Sequence, residues 1–288
     1  PQVKAKYPDI IFIAEVYNPH EYRNYIYRGH FDYLYDKVGL YDTIRSVVGG
    51  NTAMTITGAW QSVDDIQSHM LNFLENHDEQ RIASDFFAGN AEKGKPALLI
   101  SSLMNTNPVM IYFGQELGER GMDAEGFSGK DGRTTIFDYW TIDLIRRWRN
   151  GNKFDGKLLT AEEKDLQQFY TKVLNICNKE KAIREGQFFE IMYVNYNEGM
   201  NEHRQYAFLR KHEKELILVV ANFDDKLARS WVKIPAHAFN CMNIPVCDKE
   251  YECKDLLTGK KEKKALIPDG TIYVEIPANG GRVLKFKL

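Results

Sequence analysis

The sequence predicts a parallel α/β region followed by an all-β antiparallel region, and three observations carry that prediction. Short apolar runs alternate with amphipathic segments through the first part of the chain, a spacing that builds βα units and a parallel sheet. Two longer helical patterns follow. Beyond Gly186 the texture changes to short strand-like runs separated by Asn, Gly, Pro and charged residues, as in an antiparallel sandwich. The boundary is placed between Ile183 and Gly186, giving domains of residues 1–185 and 186–288.

Residues 10–14 are too short and too apolar for a surface helix and read as a buried strand. Asn18-Pro19 supplies an N-cap and a first-turn proline, with Glu21 placed for a capping box, so a helix is expected to run to about Arg28 and stop at Gly29. FDYLYD (31–36) reads as the next strand, and residues 40–48 as a helix closed by Gly49-Gly50. Ser62-Val-Asp-Asp65 has the form of a capping box opening a third helix or turn, and it leads into the strand-like front of MLNFLENHD (70–78). Pro96 opens a helix through Leu103 and Met104, and VMIYFG (109–114) is a fourth strand. Trp140, Leu144 and Trp148 then recur at helical spacing as far as Gly151. Thr160-Ala-Glu-Glu163 is a capping box before an apolar face of Leu166, Phe169, Tyr170, Val173, Leu174 and Cys177. FFEIMYV, QYAFLRK, ELILVVANF, SWVKIPA, TIYVEIPA and RVLKFKL are the strand candidates of the second region.

With 288 residues, 43% of them hydrophobic, the chain can bury at least one full core. A formal charge of −2 gives no reason to expect a nucleic-acid or anionic-membrane partner, and no run approaches the roughly 18 apolar residues of a membrane span. The opening PQVKAKYPDI has no initiator Met, basic segment or apolar leader and reads as the middle of a longer sequence. Cys177, Cys241, Cys247 and Cys253 form no CxxC pair, which favours four ordinary thiols over zinc.

The acids have an order. Glu15, Asp36 and Asp78 stand at the ends of successive strands, with Glu116 just beyond the fourth. In a parallel α/β barrel that rim is where ligands sit. Clustered carboxylates without metal ligands suit glycoside hydrolysis, in which one acid protonates the leaving oxygen while a second attacks the anomeric carbon or activates water. The proton donor must hold its proton near neutral pH, and the apolar setting of Glu15, between Phe12-Ile13-Ala14 and Val16-Tyr17, predicts the burial that does so. Each residue also has a plain structural reading: Glu15 as a helix cap or Arg partner, Asp78 as an N-cap, Asp36 as a loop acid or supporting partner, and Glu116 as structural or a distant subsite contact.

These motifs resemble the α-amylase family of retaining glycoside hydrolases, (β/α)8 TIM-barrel enzymes acting on α-glucans. FIAEVYNP resembles the segment around strand five, where the Glu matching Glu15 is the general acid/base. FLENHDEQR resembles strand seven, where an Asn-His-Asp triplet matches Asn76, His77 and Asp78: the Asp stabilises the transition state and the His binds sugar. VMIYFGQELG is similar to strand eight and its loop, and DGRTTIFDYW to the following loop that lines subsites, which brings in Arg133. ANFDD and DLLTGK are similar to stretches of the family's C-terminal sandwich. Tyr17, Phe127 and Trp140 are candidate stacking aromatics, and Tyr17 and Asn76 complete the substrate-binding set.

The resemblance covers essentially the whole chain and implies the carboxyl-terminal half of the barrel, strands five to eight, followed by an antiparallel β-sandwich. The family nucleophile is an Asp in a Gly-x-Arg-x-Asp setting at strand four, and nothing of that kind precedes Glu15; Gly132-Arg133 through Asp138 is a faint echo in the wrong place. The implied activity is retaining cleavage of α-1,4-glucosidic bonds in starch, glycogen or maltooligosaccharides, with the segment alone inactive. The alternatives are a transglycosylase or α-glucosidase of the same family, or a non-catalytic amylase-like binding or scaffold protein. No cofactor or metal is implied on this chain, because the family's calcium-binding segment belongs to the amino-terminal half.

Overall fold

The computed structural model describes residues 2–127, 129–136, 142–247 and 250–288. After a short helix α1 (Gln2–Lys6), four strands follow: β1 (Ile13–Ala14), β2 (Tyr33–Tyr35), β3 (Met70–Phe73) and β4 (Val109–Met110). They lie parallel and in sequence order, as βα units dictate. β1 pairs with β2 alone, and only two of the five expected residues keep ladder geometry. Ile11 and Ile13 there are 60% and 50% exposed, the open edge that a sheet of parallel strands leaves.

Asn18 caps the first crossover: its Oδ1 accepts from the His20 amide at 3.1 Å, and Pro19 opens a 3-10 turn that feeds α2 (Tyr22–Tyr27). The expected reciprocal bond from Glu21 does not form, because its carboxylate accepts from the Asn24 amide group instead, at 2.9 Å. A π-turn over Lys37–Tyr41 leads into α3 (Asp42–Val48), and α4 (Thr55–Gln61) follows where the sequence signalled nothing. The capping box expected at Ser62 is absent. Ser62 Oγ donates to the Ala59 carbonyl at 2.7 Å, and a 3-10 segment, Asp64–His69, takes the helix's place. α5 (Lys95–Leu103) begins at Pro96 as expected and is buried on every side. α6 (Asp143–Arg149) precedes α7 (Ala161–Lys179), where Thr160 Oγ1 accepts from the Glu163 amide at 3.2 Å and the Glu163 carboxylate from the Thr160 amide at 2.8 Å. Trp140, counted toward α6, lies outside the described residues.

After α8 (Lys181–Arg184) come β5 (Gln187–Glu190), β6 (Gln205–His212), β7 (Glu215–Asn222), β8 (Ala228–Lys233), α9 (Ala236–Cys241), β9 (Tyr251–Asp255), β10 (Lys261–Lys264), β11 (Thr271–Ile276) and β12 (Gly280–Lys287). Six of these strands form an antiparallel sheet in the order β10-β9-β12-β7-β6-β5, and β8 with β11 forms a two-stranded ribbon. α5 packs against β7 and β12, so one apolar core runs from Leu98 and Leu103 through Val219 and Phe286. Gly281 lets that approach happen: a Cβ there would meet the Val220 carbonyl at 2.6 Å and the Leu99 side chain.

Arg210 fastens the same junction. Fully buried on β6, it donates to the carbonyls of Met104 (2.6 Å), Ala182 (3.0 Å), Ile183 (2.8 Å) and Gly186 (2.8 Å), at the ends of α5 and α8. Burial pushes its guanidinium down to about 10, and these helix-end carbonyls supply the compensating negative ends.

Candidate active site

Parallel strands put their carboxyl ends on one rim. Glu15 follows β1 directly, Asp36 follows β2, residues 75–78 follow β3, and the 115–119 turn lies beyond β4. The alternation along β1 buries Ala14 and Val16 and turns Ile13, Glu15 and Tyr17 to the other face, where Tyr17 is 55% exposed. Glu15 is therefore exposed, which corrects the expected burial in an apolar pocket. It accepts a hydrogen bond from the Tyr17 hydroxyl. That bond first, then burial and the Glu15 and Asp78 charges, holds the Tyr17 hydroxyl well above the ordinary phenol range.

The loop after β3 is built around Asn76. Expected to meet substrate, Asn76 is instead buried to 2% exposure, and its Oδ1 accepts from the amides of Asp78 (3.0 Å) and Glu79 (2.8 Å). This Asx turn lifts His77 and Asp78 out of the core, where both are partly exposed. His77 Nε2 lies 3.5 Å from Asp78 Oδ2. Tyr35 sits within electrostatic reach of both acids: burial raises its hydroxyl, and the charges of Glu15 and Asp78 raise it further. Arg133 is brought to the same place. Its pKa is raised by its bond to Asp131 (2.7 Å) and then by the Asp131, Asp78 and Glu79 charges, and its guanidinium lies 4.9 Å from the Phe127 ring centre.

Beneath the exposed groups lies a buried polar frame that sequence reasoning missed. Arg81, with no exposed surface, pairs with Glu75 at 2.8 Å, donates to Thr134 Oγ1 (3.1 Å) and to the Phe113 carbonyl (3.0 Å), and lies 4.3 Å from the Tyr112 ring centre. Glu75 also accepts from the Ile82 amide at 2.8 Å. Burial pushes the Glu75 carboxyl up, and Arg81 and that amide pull it back. The frame ties the β3 loop to the β4 end and to the 121–135 loop, where Gly121 and Gly132, both at positive φ, touch backbone to backbone. A second hub is Glu79, which accepts from Tyr41 at 3.1 Å and pairs with Lys37 at 3.1 Å. Tyr41 stacks on Phe73, with ring centres 4.6 Å apart, as a floor under the rim.

The remaining acids have other work. Asp36 is buried to 1% exposure and caps the π-turn by accepting from the Leu40 amide at 2.9 Å; burial pushes its carboxyl up to about 6. Glu116 is half-buried and likewise pushed up by burial. Glu119 accepts from the amides of Arg120 and Gly121, both at 2.9 Å, and neighbours Glu125, which is pushed up to about 8 by burial and then by the Glu119 charge. Among the described residues, no group of three or more His, Cys, Asp or Glu has a geometry that could hold a metal ion. Among the described residues no disulfide joins the four cysteines, and no helix is long and apolar enough to cross a membrane.

The family model described as alpha amylase, catalytic domain, matches residues 2–186. Comparison with curated proteins gives no match. Among solved structures, a maltogenic alpha-amylase from Thermotoga neapolitana superposes with a TM-score of 0.65 at 17% identity, over 100% of this chain and 57% of its own. An Anoxybacillus alpha-amylase gives 0.67 at 17% identity, over 99% and 54%. The alpha-amylase of Geobacillus thermoleovorans, complexed with acarbose, gives 0.69 at 15% identity, over 99% and 55%. The chain thus spans a little over half the length of each of these proteins, and at this identity the likeness is one of fold. With the family model matching well over half of its length, the chain belongs to the alpha-amylase family of glycoside hydrolases.

Proposed function

We propose that the rim bearing Glu15 and Asp78 is the α-1,4-glucan-cleaving site of a retaining glycosidase. The observation that carries this reading is placement: Glu15 directly after β1 and Asp78 in the loop after β3 stand at the carboxyl ends of parallel strands with only β2 between them, and the Tyr17 hydroxyl donates to Glu15. Glu15 is the proton donor to the glycosidic oxygen and later the base that activates water. The Tyr17 hydroxyl fixes the orientation of that carboxyl. Asp78 stabilises positive charge building at the anomeric carbon, and His77 and Arg133 beside it bind sugar hydroxyls. The chain supplies strands five to eight of the barrel, and residues 186–288 are its antiparallel partner domain. The acarbose complex of the Geobacillus relative supports an oligosaccharide ligand.

Retention requires a carboxylate that attacks the anomeric carbon, and two of the other rim acids are committed elsewhere: Asp36 to a cap, and Glu75 to Arg81. The family resemblance places the nucleophile on a strand-four Asp that has no match before Glu15 in this sequence, so the chain by itself should release no sugar from maltooligosaccharides. With that Asp supplied by adjoining or companion sequence, Glu15→Gln should lower kcat on maltoheptaose by about 10²–10⁴-fold with KM little changed. Unimpaired turnover would overturn the assignment. Product analysis distinguishes hydrolysis from transglycosylation and α-glucosidase action.

A further inference from the structure

The β8–β11 ribbon carries a second surface of interest, in the antiparallel region and away from the strand ends that form the rim. Alternation sends Val232, Ile272 and Val274 inward and turns Arg229, Trp231 and Glu275 outward. Register sets Trp231 opposite Tyr273 and Arg229 opposite Glu275. The two rings lie 5.0 Å apart at an interplanar angle of 53°, and Trp231 remains 55% exposed. A cross-strand aromatic pair helps hold a ribbon together, but that needs only the touching edges. Here the outer face of a Trp is left in water in mid-strand.

A cleft of about 130 Å³ opens beside Tyr273, lined also by Asp255, Glu262, Lys264, Glu275 and Arg282. Most of the charges in and around it are neutralised in pairs, Arg229 with Glu275 at 3.2 Å, Arg282 with Asp255 at 3.0 Å, and Lys264 with Glu262 at 3.3 Å, and Lys260 adds one further cation to the lining. Such a surface has little net field to draw an ionic partner, yet it presents carboxylate acceptors and cationic donors at fixed points beside flat apolar rings. Its complement is an uncharged ligand with apolar faces and a fringe of hydroxyls, which describes a pyranose chain: C–H faces lie on the rings, and hydroxyls reach the ion pairs.

We propose that the Trp231–Tyr273 face is an auxiliary platform that holds polymeric α-glucan, separately from the Glu15 rim. The choice of α-glucan among neutral polysaccharides rests on the proposed function.

The test is electrophoresis of the folded chain through native gels containing glycogen, with barley β-glucan gels as the control, and circular dichroism melts on every variant. Retardation by glycogen should weaken about tenfold or more in apparent Kd for Trp231→Ala, the scale expected on losing an aromatic anchor, and much less for Trp231→Phe. Glu15→Gln should be retarded like the parent. Unchanged retardation of a folded Trp231→Ala overturns the platform. Retardation lost only in Glu15→Gln overturns it as well, by placing the binding at the rim. A Trp231-dependent dimer in sedimentation overturns it in favour of a second copy of the chain. Equal Trp231-dependent retardation by β-glucan overturns the α-glucan assignment. Trp231-dependent glycogen binding alongside a Glu15→Gln variant whose turnover, measured with the strand-four Asp supplied, is unimpaired supports the platform and sinks the proposed function.

Discussion

Replacing Arg81 by Met takes the centre out of the polar frame beneath the rim. The guanidinium has no exposed surface, and the change deletes its 2.8 Å pair with Glu75 and its bonds to Thr134 and Phe113 at 3.1 and 3.0 Å. Met retains much of the packing against Tyr112. Removing one partner of a buried ion pair costs about 3–5 kcal/mol, because the other charge is left unpaired. Glu75 can recover part of that by taking up a proton, since burial already pushes its carboxyl up and Arg81 no longer opposes it. A carboxyl whose folded pKa exceeds its unfolded one contributes stability that is fully present below the unfolded pKa and lost as pH rises through the folded pKa. The loss in Arg81→Met should therefore approach about 3–5 kcal/mol at pH 8 and be clearly smaller at pH 5. Adding Glu75→Leu removes the orphaned acid and should return most of the stability. Urea unfolding followed by circular dichroism reads each value, provided the slopes match. A single variant within about 1 kcal/mol of the parent at pH 8, or a double variant no more stable than the single, refutes the reasoning.

Glu125, pushed up to about 8 from an ordinary 4.5 by burial and then by Glu119, should lower the protein's stability as pH rises through that window. Glu125→Gln should flatten the fall in Tm across it in scanning calorimetry, and an unchanged slope would show that Glu125 does not titrate there. Arg210→Met leaves the carbonyls of Met104, Ala182, Ile183 and Gly186 without their buried donor and should cost at least about 3 kcal/mol in urea; a near-neutral result would mean that water replaces it. Thr160→Ala opens the capping box of α7 and should cost about 1 kcal/mol, read as a fall of about 2–4 °C in Tm. No shift would mean that the first turn of α7 is held by packing alone.

What the sequence showed in advance was local chemistry. The Thr160–Glu163 box, the Pro96 start and the Asn18 cap each depend on residues within one turn, and the α7 face of Leu166, Tyr170 and Val173 follows from period alone. The Ser62 box failed because a competing carbonyl, that of Ala59, lay equally near. β9 and β10 escaped because YECKD and KEKK carry charges on their open sides, as strands toward a sheet edge do. At the site, the Asn-His-Asp order drew attention to the loop after β3, but only the fold reveals that Asn76 faces inward and holds the turn. Arg81 joins Glu75 to Thr134 and Phe113, residues far apart in the chain, so no motif spacing announces it. The exposure of Glu15 follows from its turn in the alternation along β1, which puts it on the face opposite Ala14 and Val16; an apolar run such as Ile10 to Ala14 does not tell which face is covered.

If Glu15 and Asp78 form a glucan-cleaving rim whose nucleophile lies outside these residues, the purified chain should bind maltoheptaose without cutting it. The most direct measurement follows the purified chain with maltoheptaose, reading sugar products by chromatography and the ring signals of Tyr17 and Tyr35 by NMR. Saturable shifts of those tyrosines, without products above a Glu15→Gln control, are the expected result. Glucose or maltose released by the chain but not by Glu15→Gln would contradict the missing nucleophile, and tyrosine signals blind to the sugar would contradict the rim itself.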